Sequence, residues 1–164
     1  EDGKSICAYV GPFHAKPYGG KEGVNKLVDM GKNPAIGAHD RALVLATLAR
    51  LQLNVGQLKE ARDNANAAVE LMPFDGTAWF GLGEVAKRQK DDARALEAYE
   101  KAALYEPSWG AVRLALADSL AKTGDANLPR AIQEYENFLV VSQAEQDVSR
   151  VKKLLPNLKK KLQK

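Results

Sequence analysis

Cys7 and His14 are the side chains best suited to covalent chemistry, because a thiolate beside an imidazole can act as a nucleophile. The sequence places no third group to orient them, and both lie in a stretch dense in glycine and proline. Catalysis through this pair is therefore disfavoured, and Cys7→Ala is expected to leave any activity intact. A single cysteine excludes an intrachain disulfide and does not fit a cysteine-based zinc site. His14 and His39 are too few and too far apart to suggest a metal site, so no cofactor is expected. Gly81, Gly83 and Ala86 fit the dinucleotide pattern G-x-G-x-x-A, but that chemistry needs a strand before the glycines and a helix opening on them. Here they fall inside a helical pattern, where Gly83 reads as a packing residue. Gly20-Lys21 and Gly31-Lys32 are not phosphate loops either, since Ala15 and Lys26 occupy the places of the first glycine. With no catalytic constellation left, the chain reads as a non-enzyme.

Charge narrows the classes further. The formal net charge is +3, yet Val151 to Lys164 holds six lysines and no acid. The remainder has 18 basic and 21 acidic residues, a net of about −3. A mildly acidic body lacks the basic stripe of a nucleic-acid binder, so no nucleic acid is expected. The lysine tail reads as a solvated helix face; contact with an anionic membrane, if any, would run through it. No apolar run approaches the ~20 residues that span a bilayer as a helix. The chain starts at Glu1 without an initiator methionine, which suits a periplasmic or other exported compartment and leaves the cytoplasm open.

The elements that would position functional side chains follow from punctuation and periodicity. Residues 1–40 hold seven of the thirteen glycines and three of the seven prolines, and read as an irregular lead-in. Ser5 to Val10 suits a short extended piece. Val24, Leu27, Val28 and Met30 predict one short helix near Lys21 to Gly31, stopped by Asn33-Pro34. Helices are then expected over Arg41–Asn54, Leu58–Leu71, Thr77–Gln89, Asp92–Tyr105, about Trp109 to Gly124, and Pro129–Val141. Asp40, Asp75, Asp91 or Asp92, and Ser108 are the expected N-caps, and Gly56 and Gly124 the turns.

Two segments repeat each other. Leu45 answers to Trp79, Leu48 to Leu82, Ala49 to Gly83, Ala61 to Ala95, Ala65 to Tyr99, Ala68 to Ala102 and Pro73 to Pro107, each pair 34 residues apart. A third copy continues through Leu116, Ala117, Ala131, Tyr135 and Phe138, the last three falling two residues late, which implies an insertion around Asp125 to Leu128. A fixed period over a whole supersecondary unit marks a stacked array.

These residues resemble the tetratricopeptide repeat, W-x2-L-G-x2-Y, then A-x3-F, then a closing proline. The second unit fits best, through Trp79, Leu82, Gly83, Ala95, Tyr99 and Pro107, with Ala86 where tyrosine is usual. The resemblance implies an all-α fold, a right-handed α-solenoid of about three helix-turn-helix repeats with a C-terminal capping helix. The repeats would cover about 42–75, 76–109 and 110–144, and residues 145–164 would form the basic cap, kinked or divided at Pro156.

The resemblance also implies a non-enzymatic scaffold that binds a protein or peptide in a groove lined by the first helix of each pair. Carried over position by position, the groove residues are Arg50, Asn54, Thr77, Phe80, Glu84, Lys87, Arg88, Leu114, Asp118 and Lys122, with Leu43, Ala46 and Ala111 beside them. Arg50, Lys87 and Arg88 would pair with carboxylates or carbonyls, Asn54 with a main-chain amide, and Phe80 would anchor an apolar side chain. The family's clamp for a terminal carboxylate maps to Ala46, Arg50, Gly81, Ala111 and Ala115; four of these five have no side-chain donor, which disfavours that ligand. The expected setting is a multiprotein assembly such as a bacterial envelope or secretion complex. The alternatives are a homo-oligomer in which one chain's convex face or lead-in fills the next groove, and a lead-in folded into its own groove. Trp79 and Trp109 read as packing residues rather than a ligand cage.

Overall fold

The computed structural model describes residues 21–142 and 144–162, with side chains from residue 24. Ser5 to Val10, Cys7 and His14 lie outside the described residues. Eight α-helices follow one another within them: α1 Lys21–Lys32, α2 Ala38–Asn54, α3 Leu58–Leu71, α4 Gly76–Arg88, α5 Asp92–Tyr105, α6 Gly110–Lys122, α7 Leu128–Val141 and α8 Glu145–Leu162. No strand occurs among the described residues.

Three helix pairs, α2/α3, α4/α5 and α6/α7, form the body, and each second helix packs on the first helix of the next pair. Small residues set the spacing within and between pairs. Ala61, Ala95 and Ala131 are fully buried at equivalent places, and the large side chains Tyr99, Tyr135 and Phe138 fill the space between neighbours. Continuous apolar clusters therefore run from one pair to the next. Removing apolar area from water contributes about 25 cal/mol per Å², so no single pair could hold itself together without its neighbours.

Among the described residues one further helix flanks the three pairs on each side. Leu27 of α1 stands 34 residues before Ala61 and is 0% exposed among Val44, Leu45 and Leu48. α1 thus takes the place of a preceding second helix against α2. At the other end, α8 lies on α7 and buries Val151 and Leu155, while Leu162 remains half exposed.

The turns within pairs share one backbone solution. Gly56, Lys90 and Gly124, each 34 residues apart, all have positive φ, at 81°, 62° and 104°. Lysine is costly there because its Cβ crowds the following carbonyl. The two-residue insertion of the third pair falls at a three-residue 3₁₀ turn, Asp125–Asn127, just before α7.

Several local expectations need correction. Asp75 does cap α4, accepting from the Thr77 and Ala78 amides, and Asp91 caps α5 through the Arg94 amide. Asp40 does not cap α2. The helix starts earlier, at Ala38 after an extended Gly37, and Asp40 sits in its first turn, where its charge meets the positive end of the helix dipole. Ser108 does not cap α6 either: Trp109 holds the N-cap position, and its carbonyl accepts from Val112 and Arg113. Pro156 does not divide the last helix, which runs unbroken from Glu145 to Leu162. Proline removes the donor that would bond the Lys152 carbonyl, but both residues lie on the exposed side, where water replaces it.

Candidate functional site

The first helices α2, α4 and α6 share one face, and the repeat places equivalent residues in rows across it. Ala46, Phe80 and Leu114 form one row; Arg50, Glu84 and Asp118 the next; Asn54, Arg88 and Lys122 the last, nearest the turns. α2 packs directly along α4, whereas α4 and α6 meet chiefly through α5. The wider gap holds a cavity of about 220 Å³ lined by Phe80, Glu84, Lys87, Ala111, Leu114, Ala115, Asp118 and Phe138. Ser142, Ala144 and Asp147, from the α7–α8 connection and the start of α8, complete its wall.

Aromatic packing fixes the apolar side. The Phe80 ring lies 4.7 Å from Trp109 and 5.9 Å from Tyr99, centroid to centroid. Trp109 and Trp79 both act in packing. The Trp79 indole N–H donates to the Pro73 carbonyl at 2.7 Å, and the Lys101 ammonium sits 4.0 Å above its ring. In the next unit Arg113 takes the same place and donates from Nε to the Pro107 carbonyl at 2.9 Å. Gly83 lies inside α4, where an added Cβ would stand 2.5 Å from the Tyr99 ring, so the glycine pattern serves close packing rather than a nucleotide.

The carboxylates of the middle row are held from below. The Tyr99 hydroxyl donates to Glu84 at 2.5 Å, and the Tyr135 hydroxyl to Asp118 at 2.6 Å. Burial, reinforced by the bond to the adjacent carboxylate, raises both phenols well above their usual range, so they remain neutral donors. Lys87 stands 3.7 Å from Glu84. Arg150 of α8 reaches Asp118 with both terminal nitrogens, at 3.1 and 3.0 Å, and this hydrogen-bonded pairing raises the guanidinium further. The first unit has neither arrangement. Arg50 and Ala65 stand where the others have a carboxylate and a tyrosine, and Asn64 bonds Gln52 at 2.8 Å instead.

Of the residues the sequence nominates, Phe80, Glu84, Lys87, Leu114 and Asp118 meet at the cavity, with Ala111 beside them. Arg50, Asn54, Thr77, Arg88 and Lys122 are exposed and stand away from it. Leu43 and Ala46 are half-buried on α2. Ala115, Phe138, Ser142, Ala144 and Asp147 were not nominated. The signal that could have found Asp147 is the helical pattern of residues 145–162, which fits a further first helix as well as a cap; Ser142 and Ala144 lie in the connection before it and carry no such signal. His39 is exposed at the start of α2, and no cluster of potential metal ligands exists among the described residues. None of the described helices is long and apolar enough to cross a membrane.

Among the described residues this architecture is an all-α solenoid of paired helices whose first helices share one face. Residues 76–109 match the tetratricopeptide repeat family, and the helix pairs on either side of them stack in the same fold. No curated protein matches the chain by sequence. Among solved structures it is similar to the type III secretion translocator chaperone SycD of Yersinia enterocolitica, with a TM-score of 0.67 and 19% identity over 90% of this chain and 99% of that one. SycD in complex with a peptide of the translocator YopD gives 0.64 and 20%, covering 71% and 91%. The first repeat domain of Spaghetti (RPAP3), bound to the HSP90 peptide SRMEEVD, gives 0.67 and 17%, covering 77% and 96%. At these identities the likeness is one of fold.

Proposed function

We propose that this chain is a non-enzymatic scaffold that holds a protein or peptide segment in the groove of its first helices, within a multiprotein assembly. The observation that carries this reading is the cavity between α4 and α6, with Phe80, Leu114 and Phe138 on its walls and charged groups at its rim. A partly apolar recess with a few fixed polar groups is the form that anchors a ligand side chain. The complexes of SycD with a YopD peptide and of Spaghetti with an HSP90 peptide support it by analogy of fold. In this reading the three units 42–75, 76–109 and 110–144 form the binding body, residues 145–164 close it, and residues 1–40 lead into it. Arg50, Asn54, Thr77, Phe80, Glu84, Lys87, Arg88, Leu114, Asp118 and Lys122 face the ligand.

The test is a pull-down from native extract with wild type and with Arg50→Ala/Phe80→Ala/Arg88→Ala, alongside light scattering for mass and circular dichroism for helicity. A partner retained by wild type and lost by the folded variant is expected. Equal retention by both would move binding off the groove.

A second reading rests on a separate observation. Leu104 and Val140, near the ends of α5 and α7, are 70% and 85% exposed, and Phe74, in the α3–α4 connection, is 77% exposed with its ring edge-on to Tyr105 at 5.8 Å. Large apolar side chains left exposed in this way suit contact between copies of the chain. Mass that rises with concentration, and falls back in Leu104→Glu/Val140→Glu, would favour self-assembly; a constant monomer mass would remove it.

A further inference from the structure

We propose that the groove selects an acidic segment, with an apolar side chain in the cavity and neighbouring carboxylates on Arg50, Arg88 and Lys122. This rests on the groove reading above and names the chemistry of its partner. The formal charge of the body, about −3 without its lysine tail, points the other way. What matters to a ligand is which charges are still free.

The acids of the groove are largely engaged within the chain. Glu84 accepts from Tyr99 and faces Lys87, and Asp118 accepts from Tyr135 and from both terminal nitrogens of Arg150. Asp147, on the cavity wall, also acts on Arg150. Asp91 and Asp92 follow Arg88 around the turn and belong to the start of α5, where Asp91 caps the helix. By contrast, Arg50, Arg88 and Lys122 are exposed and form no hydrogen bond or ion pair among the described residues. Free donors facing a groove whose own acids are satisfied favour an incoming carboxylate.

Register gives the spacing. Arg88 and Lys122 each stand eight residues beyond the apolar positions Phe80 and Leu114 on the same helix, and Arg50 four beyond Ala46. At 1.5 Å of rise per residue the cations lie about 6–12 Å along the helix from the anchoring row. An extended peptide covers that distance in about two to four residues. The acids are side chains rather than a chain terminus. A clamp for a terminal carboxylate would need donors near the anchor, where Ala46, Gly81, Ala111 and Ala115 supply none.

Phage-displayed random peptides selected on the whole chain would test this. Enriched sequences should pair an apolar residue with Asp or Glu two to four positions away. Synthetic copies should bind about tenfold tighter than versions with Asn or Gln in place of the acids, an advantage that shrinks in high salt. Arg50→Ala/Arg88→Ala/Lys122→Ala, three exposed positions, should bring acidic and neutral peptides to the same affinity, and an amidated C-terminus should change nothing. Neutral or basic peptides that are enriched on wild type and lost on Phe80→Ala would overturn the acid preference and leave the groove reading standing. Dependence on a free C-terminal carboxylate would overturn it as well. No enrichment of any class, with helicity intact, would overturn both.

Discussion

The first and second helix pairs share a backbone plan and fill it differently. In α2/α3 the crossing is small against small, Ala49 facing Ala65, and the polar pair within it is Gln52 with Asn64. In α4/α5 it is glycine against an aromatic ring. Gly83 makes room for Tyr99, which is 0% exposed and sends its hydroxyl through to Glu84 on the groove side. The third pair follows the second, with Tyr135 under Asp118. A side chain buried between helices thus decides the charge available in the groove. Where a tyrosine lies beneath, a carboxylate is tethered; where alanine lies beneath, Arg50 stands free.

Emptying the filled unit is the largest perturbation. Tyr99→Ala removes a fully buried ring and a hydrogen bond to a carboxylate, and should cost about 3–5 kcal/mol in urea unfolding. A cost below about 1 kcal/mol would mean that the second unit is held by the same small contacts as the first. Giving the second unit the first unit's residue comes next. In Gly83→Ala the new Cβ would stand 2.5 and 2.6 Å from Tyr99 ring atoms, so the ring must move, at about 1–3 kcal/mol.

Alkaline pH separates the units without removing volume. Burial and the adjacent carboxylates raise Tyr99 and Tyr135 in the folded chain above the phenol value of the unfolded chain. Their contribution is complete below that unfolded value, about pH 10. It declines as pH climbs above it towards the folded values. Thermal melts should therefore fall in alkali, and less steeply in Tyr99→Phe/Tyr135→Phe. Equal slopes in both proteins would show that these phenols do not couple to folding.

The smallest effect compares the turns. Lys90 adopts positive φ where the equivalent positions carry Gly56 and Gly124. Lys90→Gly should stabilise by up to about 1 kcal/mol, because it relieves the Cβ clash that glycine avoids. Gly56→Ala should destabilise by a similar amount, read from the same melts.

The fold class was legible because the repeat is written in residues whose size is the structural device. Ala61, Ala95 and Ala131 recur where helices cross, and Leu48 and Leu82 recur beside them. Side-chain caps were legible only where the side chain does the capping, as at Asp75 and Asp91. At Asp40 and Ser108 a nearby glycine or tryptophan took the position, three residues earlier and one residue later, and shifts of that size lie at the limit of what a pattern can place. That Pro156 would not divide α8 could not be read from the sequence, because its exposure, which makes the missing donor tolerable, is a tertiary fact. The groove rows followed from register, but the cavity wall from Ser142, Ala144 and Asp147 did not, because α8 stands outside the period. Nor could the sequence show which groove charges are already paired. The partners Tyr99 and Arg150 come from other helices, and only packing brings them to Glu84 and Asp118.

The most direct test of groove recognition is a photo-crosslinking amino acid placed at Leu114, in the cavity, or at Leu104, exposed near the end of α5, with the protein returned to its native extract. The account predicts one dominant heterologous partner from Leu114, lost when Phe80→Ala is added, and little from Leu104. A partner captured equally from both positions, or only copies of the chain itself captured at Leu104, would contradict it.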